Sequence, residues 1–306
     1  MKIFITGGSG YVGSILANSL SSKFSITVGS QKKIFKVNQI KKMKYKVINY
    51  KSAESLKFFF KDFDAVIHLV GMNKIECEKN KDKSLLFKER VTTNILKACI
   101  HNNIKKLIYL SSSQVYKNFQ NRLVNEKSKI DNENFYSRSH LLAEKLILKR
   151  DLVNYTIVRA SNIFGFIKVD KSGEQKKNLV HKLCEEAFKY KTITLQNPNT
   201  IKNFLPTSIL ALNIIQILKS NKFDQRIINV GYKSMSLYSL ALKIKNRFKT
   251  LKDQKIKILK GKNLKSQKNF HKYSSLFNRF KYAQKEFIVE IDNIINLLIK
   301  KKFKKI

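Results

Sequence analysis

The chain has 306 residues, twice the roughly 150-residue length of an ordinary domain, so it holds one large α/β domain or two unequal ones. With 43% hydrophobic residues, 21 Phe and 12 Tyr against 2 Pro and 10 Gly, it is too apolar to be disordered, and its composition excludes collagen-like or linker sequence. Lys and Arg number 62 against 21 Asp and Glu, a net charge of +41 that by itself suggests a nucleic-acid or anionic-membrane partner; yet Arg, which grips phosphate bidentately, supplies only 8 of the 62.

Taken in chain order, residues 3–6 form a short apolar run that enters the turn Thr6-Gly7-Gly8-Ser9-Gly10-Tyr11-Val12-Gly13. A helix over 12–20 follows, with Val12, Ile15, Leu16 and Leu20 on one face. Glycine permits the tight turn and the close approach of backbone to a pyrophosphate, and the helix N-terminus offers free N–H groups to the anion, so this segment reads as a dinucleotide-binding turn. Further strands are expected at 25–28, 45–48, 65–70, 107–110 and 156–159, and helices at 85–100 and 137–150. Strands alternating with helices predict a doubly wound α/β fold, a parallel sheet covered on both faces.

After Arg159 the pattern loosens. Residues 162–173 read as loop, helices are expected near 179–189, 208–219 and 237–248, and short strands near 193–195, 227–230 and 255–259. A last amphipathic helix carries Ile288, Ile291, Ile294, Ile295 and Leu298. This is a smaller C-terminal lobe packed on the sheet, with no internal repeat. Cys77, Cys99 and Cys184 share no close spacing, so neither a disulfide framework nor a metal site is signalled, and a reducing compartment fits. The first strand runs straight into the glycine turn, leaving no room for a signal peptide, and no run nears 18 uncharged apolar residues, so a cytoplasmic location without a membrane span is expected.

Several motifs, in order, resemble the extended short-chain dehydrogenase/reductase family, in its NAD-dependent epimerase/dehydratase branch acting mostly on nucleotide sugars. Beside the glycine turn they are Asp64-Ala65-Val66-Ile67-His68-Leu69-Val70-Gly71, similar to the family's fourth strand; Thr92-Thr93-Asn94-Ile95-Leu96-Lys97-Ala98, similar to the next helix; and Ser111-Ser112-Ser113-Gln114-Val115-Tyr116, similar to the fifth strand and its serine loop. The resemblance covers about residues 1–232. It implies a Rossmann domain over 1–165 and a substrate lobe over 166–306, with 205–232 returning to the sheet. It also implies cofactor contacts from Gly7, Gly10, Tyr11, Val12, Gly13, Leu69 and Gly71.

The second strand ends Val28-Gly29-Ser30-Gln31-Lys32-Lys33. NAD enzymes place a carboxylate here for the ribose 2′-OH, whereas cations meet a 2′-phosphate, so NAD or NADP is expected with a lean to NADP through Ser30, Lys32 and Lys33. Asn49 stands where the family has an acid near the adenine.

In the family, a Tyr removes a hydroxyl proton while hydride passes to the nicotinamide. A Lys four residues later lowers the Tyr pKa from about 10, and a Ser bonds the substrate oxygen. The resemblance places these roles on Tyr136, His140 and Ser112, with Tyr136 and His140 also against the cofactor. His140 is the departure: a group of ordinary pKa near 6.5 replaces a permanent cation. It supports slower or pH-tuned chemistry, or a cation such as Arg138 compensates, or the protein binds without turnover. His68 reads as a satisfied core histidine and Glu144 as structural.

On the substrate side the resemblance implies Asn162, in Val158-Arg159-Ala160-Ser161-Asn162-Ile163-Phe164-Gly165; Asn178, in Asn178-Leu179 at a helix start; and Lys202, in Lys202-Asn203-Phe204 where the family has Arg-Asp-Phe. The expected function is an NAD(P)-dependent nucleotide-sugar epimerase or keto-sugar reductase in surface-glycan synthesis. Ser113-Gln114 lacks the carboxylate of a dehydratase. The alternative is a catalytically weakened Rossmann binding protein with RNA as the candidate ligand, although a nucleic-acid partner is not favoured. A homodimer through helices 85–100 and 137–150 is expected.

Overall fold

The computed structural model describes residues 1–31, 43–117, 123–130, 133–149, 154–165, 178–261, 272–273 and 283–302. In chain order its elements are β1 (Lys2–Thr6), α1 (Tyr11–Leu20), β2 (Ser25–Ser30), β3 (Met43–Val47), α2 (Ala53–Phe60), β4 (Ala65–His68), α3 (Lys74–His101), β5 (Lys106–Ser112), β6 (Leu123–Val124), α4 (Phe135–Leu148), β7 (Tyr155–Ala160) and β8 (Asn162–Phe164). The second half holds α5 (Leu179–Tyr190), β9 (Thr192–Leu195), β10 (Ile201–Pro206), α6 (Thr207–Lys219), β11 (Arg226–Val230), β12 (Lys233–Ser236), α7 (Leu237–Lys252), β13 (Lys257–Lys260), β14 (Lys272–Tyr273) and α8 (Ala283–Lys302).

Seven strands form one sheet in the order β11-β7-β5-β4-β1-β2-β3, every neighbouring pair parallel. The apolar runs of the sequence are its central strands, and their alternation divides them between two cores. Ile3 and Ile5 of β1 point into a layer closed by α1 and α6. Phe4 points the other way, among residues of α2, α3 and α4. This is the doubly wound α/β arrangement expected from the sequence. A third core gathers α5, α7 and α8 around the small sheets β12-β10-β8 and β13-β9.

Three differences from the sequence reading have local causes. Helix α2 went unseen because Phe58-Phe59-Phe60 breaks the helical period; Ser52 caps it by accepting from the Ser55 N–H. The span of α3 joins two helical segments across a kink at Lys81, where φ is 38° and ψ is −118°; the expected helix at 85–100 lies in the second segment, and the first went unseen. Its polar first turns carry no apolar stripe, and what holds them is a reciprocal capping box between Asn73 and Glu76. The expected loop at 162–173 begins instead as strand β8, paired with β10, and residues 166–173 lie outside the described residues.

One buried polar network links α4, β5, β7, β11 and β14. Glu144 on α4, 2% exposed, takes both forks of Arg159 on β7, 5% exposed, at 2.6 and 3.0 Å. Ser111 donates to the same carboxylate at 2.5 Å. Arg159 also donates to the Tyr116 hydroxyl at 2.9 Å, and Tyr116 and Tyr273 both donate to Asn229 Oδ1 on β11. Glu144 thus has the structural role expected of it. Removing one partner of such a pair strands the other charge out of water. Glu144→Ala is therefore expected to destabilise the fold by about 3–5 kcal/mol, measured by urea denaturation.

Candidate active site

All parallel strands end at the same sheet edge, and there a cavity of about 750 Å³ opens between the sheet and α5. The glycine turn forms one wall. Gly7 sits at φ +67°, and a Cβ on it would lie 2.8 Å from the Val70 backbone. A Cβ on Gly13 would meet the Gly7 carbonyl at 2.5 Å, so α1 can press against the turn only with glycine at that position. No side chain caps the start of α1 at Gly10, and no acid lies in its first turn. Its free N–H groups are available to an anion.

Ser112 ends β5 and Tyr136 opens α4. Asn134 caps α4 by accepting from the Ser137 N–H, and the Ser137 hydroxyl donates to the Gln114 carbonyl at 2.6 Å, holding the helix start against the serine loop. Ser112 and Tyr136 line the same cavity. Burial raises the Tyr136 pKa above its usual value, and the nearby Ser112 hydroxyl opposes that rise. One turn later the His140 ring stands edge-on to Tyr136, with centroids 4.6 Å apart, and its Nδ1 lies 2.8 Å from the Tyr109 hydroxyl. Burial, then the nearby Lys88, holds His140 well below the ordinary histidine range, so it is a neutral hydrogen-bonding ring near pH 7. Arg138 is not the compensating cation: it is exposed and stacks on Phe135 at 5.2 Å, outside the cavity.

Of the residues expected from the sequence, Gly7, Gly10, Tyr11, Val12, Gly13, Leu69, Gly71, Ser112, Tyr136, His140, Asn162 and Asn178 line this one cavity. Ser30 lies beside it, donating to Ser9 of the glycine turn at 2.8 Å. Asn49 is exposed and accepts from the Lys51 N–H, away from the lining, and Lys202 is half-buried on β10, also outside it. Lys32 and Lys33 lie outside the described residues.

Two expected ligand residues are committed elsewhere in the fold. Asn178 Oδ1 caps α5 through the His181 N–H, while its amide donates to Tyr11 Oη and the Ile163 carbonyl. Asn162 donates to the Asn203 carbonyl. Tyr11 itself ties the start of α1 to the end of β8, accepting from the Gly165 N–H at 2.8 Å and donating to the Gly165 carbonyl at 2.9 Å.

Sequence reasoning missed Lys74, Lys88 and Lys182, which also line the cavity. In so lysine-rich a chain no single lysine stood out; the sign for Lys88 was its place in the helix row Ser84, Lys88, Val91, Ile95, otherwise uncharged. The lining contains no carboxylate among the described residues. It suits a polyphosphate, and the glycine turn, the bare α1 terminus and Gly71 fit the pyrophosphate and ribose of a dinucleotide. The expected core role of His68 holds: it is fully buried between Thr6 and Thr92. Among the described residues no His, Cys, Asp and Glu cluster could hold a metal, and no helix is long and apolar enough to cross a membrane.

Residues 3–231 match the model of the NAD dependent epimerase/dehydratase family. The chain is 31% identical over 193 residues to a dTDP-D-glucose 4,6-dehydratase of Dictyostelium discoideum, covering 54% of this chain and 44% of that protein, less than half its length. It is 27% identical over 252 residues to a GDP-6-deoxy-D-talose 4-dehydrogenase of Aggregatibacter actinomycetemcomitans, covering 80% of each. Its fold is that of the UDP-N-acetylglucosamine 4-epimerase of Methanobrevibacter ruminantium M1, with a TM-score of 0.78 at 19% identity over 98% of both chains.

Burial holds the pKa of both His68 and His140 well below 6.5. As pH falls through about 6.5 the unfolded chain binds protons at these rings that the native chain refuses, so stability is full above that pH and is lost below it. The expected slope is up to about 1.4 kcal/mol per pH unit for each ring. Urea midpoints between pH 5 and 8 measure it, and His140→Gln should remove about half of that slope.

Proposed function

The chain belongs to the NAD dependent epimerase/dehydratase family, and on that premise we propose that it is an NAD(P)-dependent epimerase or keto-sugar reductase acting on a nucleotide-diphosphate sugar in surface-glycan synthesis. The observation that carries this reading is that Ser112, Tyr136 and His140 line the one cavity that the glycine turn enters. The two curated relatives are named for dTDP- and GDP-linked sugars, so a sugar joined to a nucleoside diphosphate is the chemistry common to both.

On this reading Tyr136 takes the proton of a sugar hydroxyl, and Ser112, which lines the same cavity, steadies the charge that develops on the sugar oxygen. His140 holds a neutral ring against Tyr136 and offers a nitrogen to a hydroxyl. Gly7, Gly10, Gly13, Leu69 and Gly71 would hold the dinucleotide, which when bound supplies the hydride acceptor. Ser30, Lys32 and Lys33 favour NADP, since no carboxylate ends β2. Lys74, Lys182 and the N-terminus of α5 meet the substrate's diphosphate, with Asn162 nearby and Lys202 beside Lys74, its pKa lowered by burial and by that neighbouring charge. Among the described residues the lining holds no carboxylate, and dehydration needs an additional acid/base pair, so this reading places dehydration behind epimerisation and reduction. Residues 1–165 carry the cofactor and 166–306 the sugar, in a cytoplasmic homodimer joined through α3 and α4.

The test is a panel of nucleotide sugars offered with NAD or NADP, read by product chromatography and absorbance at 340 nm. Conversion of at least one sugar is expected. Tyr136→Phe should lower the rate about 10²–10⁴-fold while cofactor binding survives. Binding without conversion would favour the non-catalytic alternative, and absence of both sinks the proposal.

A further inference from the structure

Tyr136 needs a positive charge nearby to act as a base near neutral pH, and position 140 does not supply one. We propose that Lys88 on α3 is the cation of this site, moved from the helix of Tyr136 to the helix packed beside it. The inference rests on the reading of Tyr136 as the base.

The geometry carries it. Lys88 is 4% exposed, and its Nζ donates to the Val70 carbonyl at 3.0 Å. The ammonium stands 4.8 Å from the centroid of Tyr109, whose hydroxyl is 2.8 Å from His140 Nδ1; the His140 ring in turn packs on Tyr136. Charge and phenol are thus the two ends of a continuous stack, Lys88, Tyr109, His140, Tyr136, with Lys88, His140 and Tyr136 all lining the cavity. A Cβ on Gly71 would come within 3.1 Å of Nζ, so that glycine leaves the ammonium uncovered where the cofactor strand ends.

The groups facing Lys88 are Cys77 on its own helix, His68 on β4, Tyr109 on β5, and His140 on α4, with Tyr136 beyond. None is a carboxylate, and no ion pair holds Lys88 among the described residues. The other deeply buried lysine, Lys106, is treated in the opposite way: Asp224 lies at 3.0 Å, with the carbonyls of Ile217 and Ser220 at 3.1 and 2.9 Å. A structural buried lysine here is paired and capped, whereas Lys88 carries three donors against one acceptor. Burial without a counter-charge pushes its pKa down to about 7. Such an arrangement costs stability, as expected of a charge retained for chemistry.

The test compares the full chain with Lys88→Met and Lys88→Met/His140→Lys. In cofactor-free protein, Lys88→Met should leave the thermal midpoint at or above that of the parent, and the His140 C2–H titration, followed by NMR, should move up by about one pH unit. With nucleotide sugar and cofactor, the rate at pH 7 should fall about tenfold, and the half-point of its rise with pH should move up by about one unit. The double variant, with the cation returned to the helix of Tyr136, should regain most of that rate. An unchanged His140 titration with an unchanged rate overturns the proposal, as does a destabilised Lys88→Met whose lost rate the double variant fails to recover. If the parent protein converts no sugar, the enzymatic reading fails by itself, and the cofactor-free titration still decides whether Lys88 sets the charge of the site.

Discussion

The structure depends first on strand direction. Because β1, β4, β5 and β7 run parallel, their ends emerge at one edge, and the residues just beyond them meet there although they lie more than a hundred positions apart. The glycine turn follows β1, Gly71 follows β4, Ser112 ends β5 and Asn162 follows β7. The site is a by-product of topology, and tight packing at Gly7 and Gly13 then brings backbone, rather than side chain, to its surface.

That same topology explains what could be read from the sequence. Parallel strands buried on both faces appear as apolar runs, and β1, β4, β5 and β7 each lie where such a run predicts them. Elements held by local polar contacts were harder to see. The first turns of α3 are set by Asn73 and Glu76, and β8 exists because β10, forty residues on, offers it a partner. Strand pairing of that range leaves no period in the sequence. Within the site, Ser112, Tyr136 and His140 were legible only through the resemblance to the family's motifs, and β5 and the first turn of α4 bring all three to one cavity. Asn178 was legible as a helix start, but its side chain is absorbed in capping and in the bond to Tyr11.

Lysine abundance acts as camouflage. In a chain with 62 Lys and Arg, sequence alone cannot single out the few that burial has removed from water, and Lys88 and Lys106 differ in what surrounds them. Among the described residues Lys106 is ion-paired with Asp224, whereas Lys88 donates only to the Val70 carbonyl.

Tyr11 has a mechanical consequence. Its hydroxyl makes three hydrogen bonds, two to Gly165 and one to the residue that caps α5, from a side chain rooted in the first turn of α1. The phenol acts as a rivet, fastening the glycine turn to the end of β8 through two bonds and to the cap of α5 through a third. The cavity therefore has a fixed gauge between its dinucleotide wall and its opposite wall, and any widening must come from the walls that Tyr11 does not fasten.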